Sequence, residues 1–210
     1  MLALMGERRF KGLILDFFGV LTSNMVEVIE LFEDAERLKR GTFLRAWAGD
    51  GRELFRRLEL GEITQQEWNV GYAELLSVDP ANLMGRYLAD AWPAYEVINA
   101  AKQARAAGIK TAVLSNSLGR SPYDPYAVFN LYETFDSVVL SNEVGLRKPD
   151  ARIFQLVLDR LELAAEECVF ADDTEENLEA AVSLGFTPLF ALDPAVVAQR
   201  IRMVFDLPDL

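Results

Sequence analysis

Five short apolar runs, near residues 10–16, 110–114, 138–140, 168–171 and 188–191, are separated by stretches whose apolar residues recur at helical spacing. That alternation is the tightest constraint on the fold. A strand, a helix and a second strand close into a parallel unit, and repeated units give one sheet covered by helices on both faces. The expected fold class is α/β, a Rossmann-like three-layer sandwich with a parallel sheet. Ligands of such sheets gather beyond the carboxyl ends of the strands, where strand order reverses.

The first run interrupts this rhythm. It reads LILDFFGVLT over 13–22, an apolar strand running into Asp16 and then a turn, and the next seventy or so residues are helical in pattern rather than βα. Met25, Val26, Ile29 and Phe32 recur at helix spacing behind Ser23 or Asn24 as N-cap, with Gly41 as the stop. Leu54, Phe55 and Leu58 mark a second amphipathic segment ended by Gly61. Thr64 and Glu67 have the form of a capping box, with Trp68, Tyr72 and Leu75 on the face behind it. These signals predict a helical bundle over 23–90, inserted into a core of 1–22 and 91–210.

Composition narrows the chemistry. The 210 residues are 51% hydrophobic, enough for a substantial core, and 21 basic against 33 acidic residues leave a net charge of −12. Such a surface disfavours nucleic acid, whose phosphate backbone is bound by clustered Lys and Arg. The single cysteine, Cys168, permits no internal disulfide and fits core packing in a reducing, cytoplasmic setting. Met1 to Met5 is apolar but is followed at once by Glu7, Arg8 and Arg9, unlike a secretory signal, and no apolar run reaches bilayer-spanning length. There is no histidine, which removes Ser-His-Asp and Cys-His catalysis and the commonest zinc ligand. Hydrolytic chemistry must run on carboxylates, lysine, hydroxyls or an oxygen-ligated metal.

Four polar stretches fall at or just after strand ends. They are Asp16 in LILDFFGVLT, VLSNS at 113–117, GLRKPD at 145–150 and VFADDTEEN at 169–177. Singly each has a plain reading. Asp-x-x-Gly and Ser-Asn are turn pairs, most lysines are solvated, and an Asp-Asp pair caps a helix. Together and in this order they resemble the four motifs of the haloacid dehalogenase-like (HAD) hydrolase superfamily, in its branch with a small helical cap inserted after the first motif.

The resemblance implies a metal-dependent phosphatase site acting on a small phosphorylated metabolite. Asp16 corresponds to the nucleophile that forms an aspartyl-phosphate, and Lys148 to the amine that neutralises the charge of transfer. Ser115 and Asn116 correspond to the phosphate holders. Asp16, the carbonyl of Phe18, Asp172 and Asp173 correspond to the Mg²⁺ ligands, and Mg²⁺ suits their hard oxygens. Three converging carboxylates would otherwise repel one another. Asn177 is placed to orient the acidic loop. Cap residues are expected to choose the substrate, with Arg45, Trp47, Arg52 and Arg56 as candidates that surface or core roles explain equally well.

One position departs from the phosphatase pattern. Where those enzymes carry a second Asp as general acid and base, this chain has Phe18, which cannot move a proton. Acid–base catalysis contributes roughly 10² to 10⁴-fold, so a phosphatase without it is expected to be slow. Dehalogenases of the family also carry an aromatic residue there and work without metal, but usually lack the acidic pair retained here. Two alternatives stay open: a phospho-ligand or partner-binding homologue with weak chemistry, and a metal-independent 2-haloacid dehalogenase.

Overall fold

The computed structural model describes residues 9–208, so the opening segment weighed as a leader lies outside the described residues. A five-stranded parallel sheet forms the centre, in the order β3-β2-β1-β4-β5. The chain runs β1 (Gly12–Leu15), α1 (Met25–Ala35), α2 (Thr42–Ala46), α3 (Arg52–Glu59), α4 (Gln65–Leu76), α5 (Leu83–Tyr87) and α6 (Tyr95–Ala106). It continues through β2 (Lys110–Ser115), α7 (Leu131–Thr134), β3 (Ser137–Leu140), α8 (Ser141–Val144) and α9 (Ala151–Leu161). It closes with β4 (Cys168–Asp172), α10 (Glu175–Ser183), β5 (Thr187–Phe190) and α11 (Pro194–Val204). The expected α/β sandwich is the observed one.

Strand β1 is central because both of its faces are apolar. Leu13 and Leu15 pack with Val97, Ala101, Val197 and Ile201 beneath α6 and α11, while Ile14 packs with Ile153, Phe154, Phe170 and Leu178 beneath α9 and α10. Fully burying such side chains stabilises by about 1.5–3 kcal/mol each. Leu13 is level with Thr111 of β2 on one side and Val169 of β4 on the other, so β1, β2 and β4 end together. Cys168 lies fully buried in this core, as packing predicts.

Helices α1–α5 bury a separate cluster built on Phe32, Phe43, Phe55, Trp68, Tyr72 and Tyr87. Asn24 caps α1 by accepting from Val26 N–H at 2.8 Å, and Thr64 with Glu67 forms the expected capping box. Three details correct the sequence expectations. Val26 is exposed and Val28 buried, so the inward face of α1 runs through Val28, Ile29 and Phe32. Leu76 rather than Leu75 continues the Trp68–Tyr72 stripe, keeping spacing four. Helix α1 ends at Ala35, short of Gly41, because Arg37 enters the left-handed region (φ 57°). Gly41 instead opens α2: the buried Glu33 carboxylate accepts from Gly41 N–H at 2.8 Å and Phe43 N–H at 2.7 Å, holding the two helices at a fixed corner.

Candidate active site

Asp16 leaves the end of β1, Ser115 ends β2 and Asp172 ends β4, so the shared register of three adjacent strands delivers all three to one edge. Lys148 arrives from the segment after α8. Its Nζ lies 2.7 Å from Asp16 Oδ1 and 2.6 Å from Asp172 Oδ2, and it is almost wholly buried. The Asn116 side chain fixes that segment, accepting from Lys148 N–H at 2.8 Å and donating Nδ2–H to the Lys148 carbonyl at 3.1 Å. A buried ammonium is tolerated only where charges and hydrogen bonds compensate it, and here two carboxylates do so.

The two acids of the last motif differ. Asp172 is saturated: besides Lys148 it accepts from Asn177 Nδ2 at 3.1 Å and Thr174 N–H at 2.9 Å. Asn177 thus holds the acidic loop, as expected. Asp173 projects over the turn after β1, where a Cβ on Gly19 would collide with its Oδ2, and Gly19 has φ 77°. Only glycine fits that position, for both reasons. Oxygens of Asp16, Asp172 and Asp173 lie within 4.8 Å of one another.

Electrostatics follow from this crowding. Burial, opposed by Lys148 and assisted by the like charges of Asp172 and Asp173, lifts the Asp16 carboxyl to about 8. Burial and Asp172 also raise Asp173, and Lys148 opposes them. For Lys148 burial lowers the affinity for the proton, but its two carboxylate partners outweigh that and raise it. Three acids share one ammonium, all donors are hard oxygens, and the Asp16 Oδ2 and Phe18 carbonyl oxygens accept no hydrogen bond among the described residues. This donor set fits Mg²⁺.

A cavity of about 810 Å³ opens from this edge into the helical insertion. Asp16, Asn116, Lys148 and Asp173 line its floor; Ser115 and Asp172 lie fully buried behind it, with Ser115 Oγ 3.4 Å from Tyr126 OH. Of the four insertion residues singled out, Trp47, Arg52 and Arg56 line the cavity, whereas Arg45 bonds Thr42 and the Arg40 carbonyl. Phe18 is part of the wall. Its ring meets Phe17 edge-on at 4.9 Å and Tyr126 at 6.2 Å, and it packs against both the sheet-side and the helical clusters.

Sequence reasoning missed Glu59, Arg147 and Tyr126. Arg147 Nε donates to Glu59 Oε2 at 2.6 Å on the cavity wall, tying the insertion to the lysine segment. Its place directly before Lys148 was the available signal. Glu59 and Tyr126 carried none.

These features define a hydrolase class. The haloacid dehalogenase-like hydrolase family model matches residues 10–185, and the chain belongs to that family. It is 30% identical to mouse acyl-CoA dehydrogenase family member 10 over 97% of its length, and covers 20% of that protein. A phosphatase of Mycobacterium tuberculosis is 32% identical over 63% of this chain and 55% of its own length. The chain therefore spans only part of the curated relatives, which also include further phosphatases and a 2-haloacid dehalogenase. A HAD family enzyme from Bacteroides thetaiotaomicron superposes with TM-score 0.66 at 23% identity, covering 86% of this chain and 93% of that one. Among the described residues no helix is long and apolar enough to cross a membrane.

Proposed function

We propose that this chain is a Mg²⁺-dependent phosphatase of small phosphorylated metabolites that works through an aspartyl-phosphate on Asp16. The observation carrying this reading is the Lys148 ammonium, buried between Asp16 and Asp172 at 2.7 and 2.6 Å beneath a cavity whose floor Asp173 completes. Asp16, Asp173 and the Phe18 carbonyl would hold the cation, with Asp172 close by, and it would offset the charge of three acids and a phosphate. Asp16 Oδ2, free of protein partners among the described residues, is the nucleophilic oxygen. Lys148 holds Asp16 in position and offsets charge on the transferring group. Asn116 fixes the lysine segment and lines the phosphate end of the cavity, and Ser115 supports that end from behind. The insertion over 23–90 acts as a cap that excludes water and selects the substrate.

Expected results are phosphate release that requires Mg²⁺, and a loss of about 10³-fold or more in Asp16→Asn, as removal of a group acting in concert produces. Assay of a broad panel of phosphate monoesters decides it. No magnesium-dependent release, with Asp16→Asn indistinguishable from wild type, sinks the reading. Phe18 favours a second reading, a phospho-ligand binder without catalysis. In that case phosphate and its esters bind with no turnover in wild type, measured by calorimetry beside the same assay.

A further inference from the structure

Phe18 lies two residues from Asp16, lines the same cavity, and supplies no proton. The cavity offers few replacements. Glu53 is paired with Arg56 at 2.8 Å, and Glu59, whose carboxyl burial raises against the opposing pull of Arg147, is held by that arginine at 2.6 Å. Burial pushes the Tyr87 phenol far above its ordinary value. Asp50 and Glu176 are exposed to solvent. Phe18, Met25, Ile29, Phe43, Phe55 and Leu118 give the cavity apolar lining beside the charged Arg52, Glu53, Arg56 and Glu59. A volume of about 810 Å³ is far more than a phosphate group needs and falls among pockets for drug-sized ligands.

Resting on the phosphatase reading, we infer that the pocket takes activated phosphates with an apolar body, aryl or acyl phosphates, whose leaving oxygen departs as a stable anion. In the first step a bond forms between Asp16 Oδ2 and phosphorus. The phosphorus–oxygen bond to the leaving group breaks, and its electron pair stays on that oxygen as a phenolate or carboxylate, with no proton transferred. In the second step a water oxygen attacks phosphorus and the bond to Asp16 breaks, returning its electron pair to the carboxylate, while the water's proton passes to solvent. Both departures need no acid. The second lacks a base, so the phosphoenzyme accumulates when the first is fast.

The test uses the wild-type chain with Mg²⁺ and a series of similar apolar size: benzoyl, 4-nitrophenyl, phenyl and benzyl phosphate. The expected kcat/KM falls by about 10²-fold or more from 4-nitrophenyl to benzyl phosphate, the contribution an acid would otherwise supply. A burst of nitrophenolate close to the enzyme concentration precedes steady turnover. Phe18→Asp narrows the gap by raising the benzyl rate more than the nitrophenyl rate. Equal kcat/KM across the wild-type series overturns this inference and leaves the phosphatase reading standing. Absence of turnover on all four, benzoyl phosphate included, overturns both. Glu59→Gln is the second check. A rate loss confined to phenyl and benzyl phosphate would make Glu59 the missing acid and overturn the inference, whereas a uniform effect supports it.

Discussion

At the scale of single residues, Lys148 organises the site. Its ammonium also sits 5.5 Å from the Phe170 ring centre, so its surroundings are two carboxylates and an aromatic face. Replacing it by methionine keeps the volume and leaves Asp16 and Asp172 as unneutralised buried neighbours. Breaking a buried pair in this way costs about 3–5 kcal/mol. Urea denaturation of Lys148→Met in EDTA should show a loss of that order, and saturating Mg²⁺ should recover part of it, because a cation would again balance the acids. A loss under about 1 kcal/mol would mean that Asp16, whose carboxyl already stands at about 8, answers the loss of the ammonium by holding a proton. The meeting of Asp16, Asp172 and Asp173 was legible in the sequence, since strand-end residues of a parallel sheet share an edge; Lys148, expected just after a strand end, instead follows α8 and was placed with them by the family resemblance alone. The grip of Asn116 on the Lys148 backbone was not: it joins two loops 32 residues apart, and neither loop has a period.

At the scale of elements, the edge of the sheet depends on how β2 and β3 are aligned. Asp136, directly before β3, accepts from Thr111 N–H at 2.8 Å and Thr111 Oγ1 at 3.1 Å, and pairs with Arg105 of α6 at 2.8 Å. Burial would raise its carboxyl, but the Thr111 and Arg105 hydrogen bonds together outweigh it and hold the group below its ordinary 3.8. A depressed folded value means that the stabilisation is present above 3.8 and disappears as pH falls through the folded value. Asp136→Asn should therefore cost about 1–2 kcal/mol near neutrality, the scale of one partly exposed hydrogen bond to a charged group. The wild-type advantage should shrink as pH falls below 3.8 and vanish once the folded carboxyl is protonated, monitored by chemical denaturation across the range. A difference independent of pH would assign the effect to packing instead of charge. Strand positions were legible to within two residues because buried strands read as short apolar runs. The inward faces of α1 and α4 were misread at Val26 and Leu75 because neighbouring positions on both helices are also apolar, so tertiary packing chose between them.

At the scale of the whole molecule, two sheet-side cores and one helical core are joined by a few specific contacts. Gln65, buried at the start of α4, donates Nε2–H to the carbonyls of Leu118 at 2.8 Å and Tyr123 at 2.9 Å, and accepts from Tyr123 N–H at 3.0 Å. Leu118 itself belongs to the helical core. The Glu59–Arg147 pair and the Ser141 hydroxyl, donating to the Glu59 carbonyl at 2.6 Å, make a second attachment on the far side of the cavity. None of these was legible, because each links a side chain to a segment more than fifty residues away through polar atoms that no hydrophobic pattern reports. The Gln65 contacts are the better point of intervention, since they touch neither Asp16 nor the acids. Gln65→Ala removes three hydrogen bonds at about 1 kcal/mol each, so opening should become easier by about 2–3 kcal/mol, roughly 30- to 150-fold in population. Native-state hydrogen exchange should then speed up at the amides of Tyr123 and the first turn of α4, while β1 and β4 remain as protected as in wild type. Faster exchange in the strands as well would mean that the insertion does not open as a unit. Unchanged exchange at Tyr123 would place the closing force in the apolar contacts of Phe18 and Leu118.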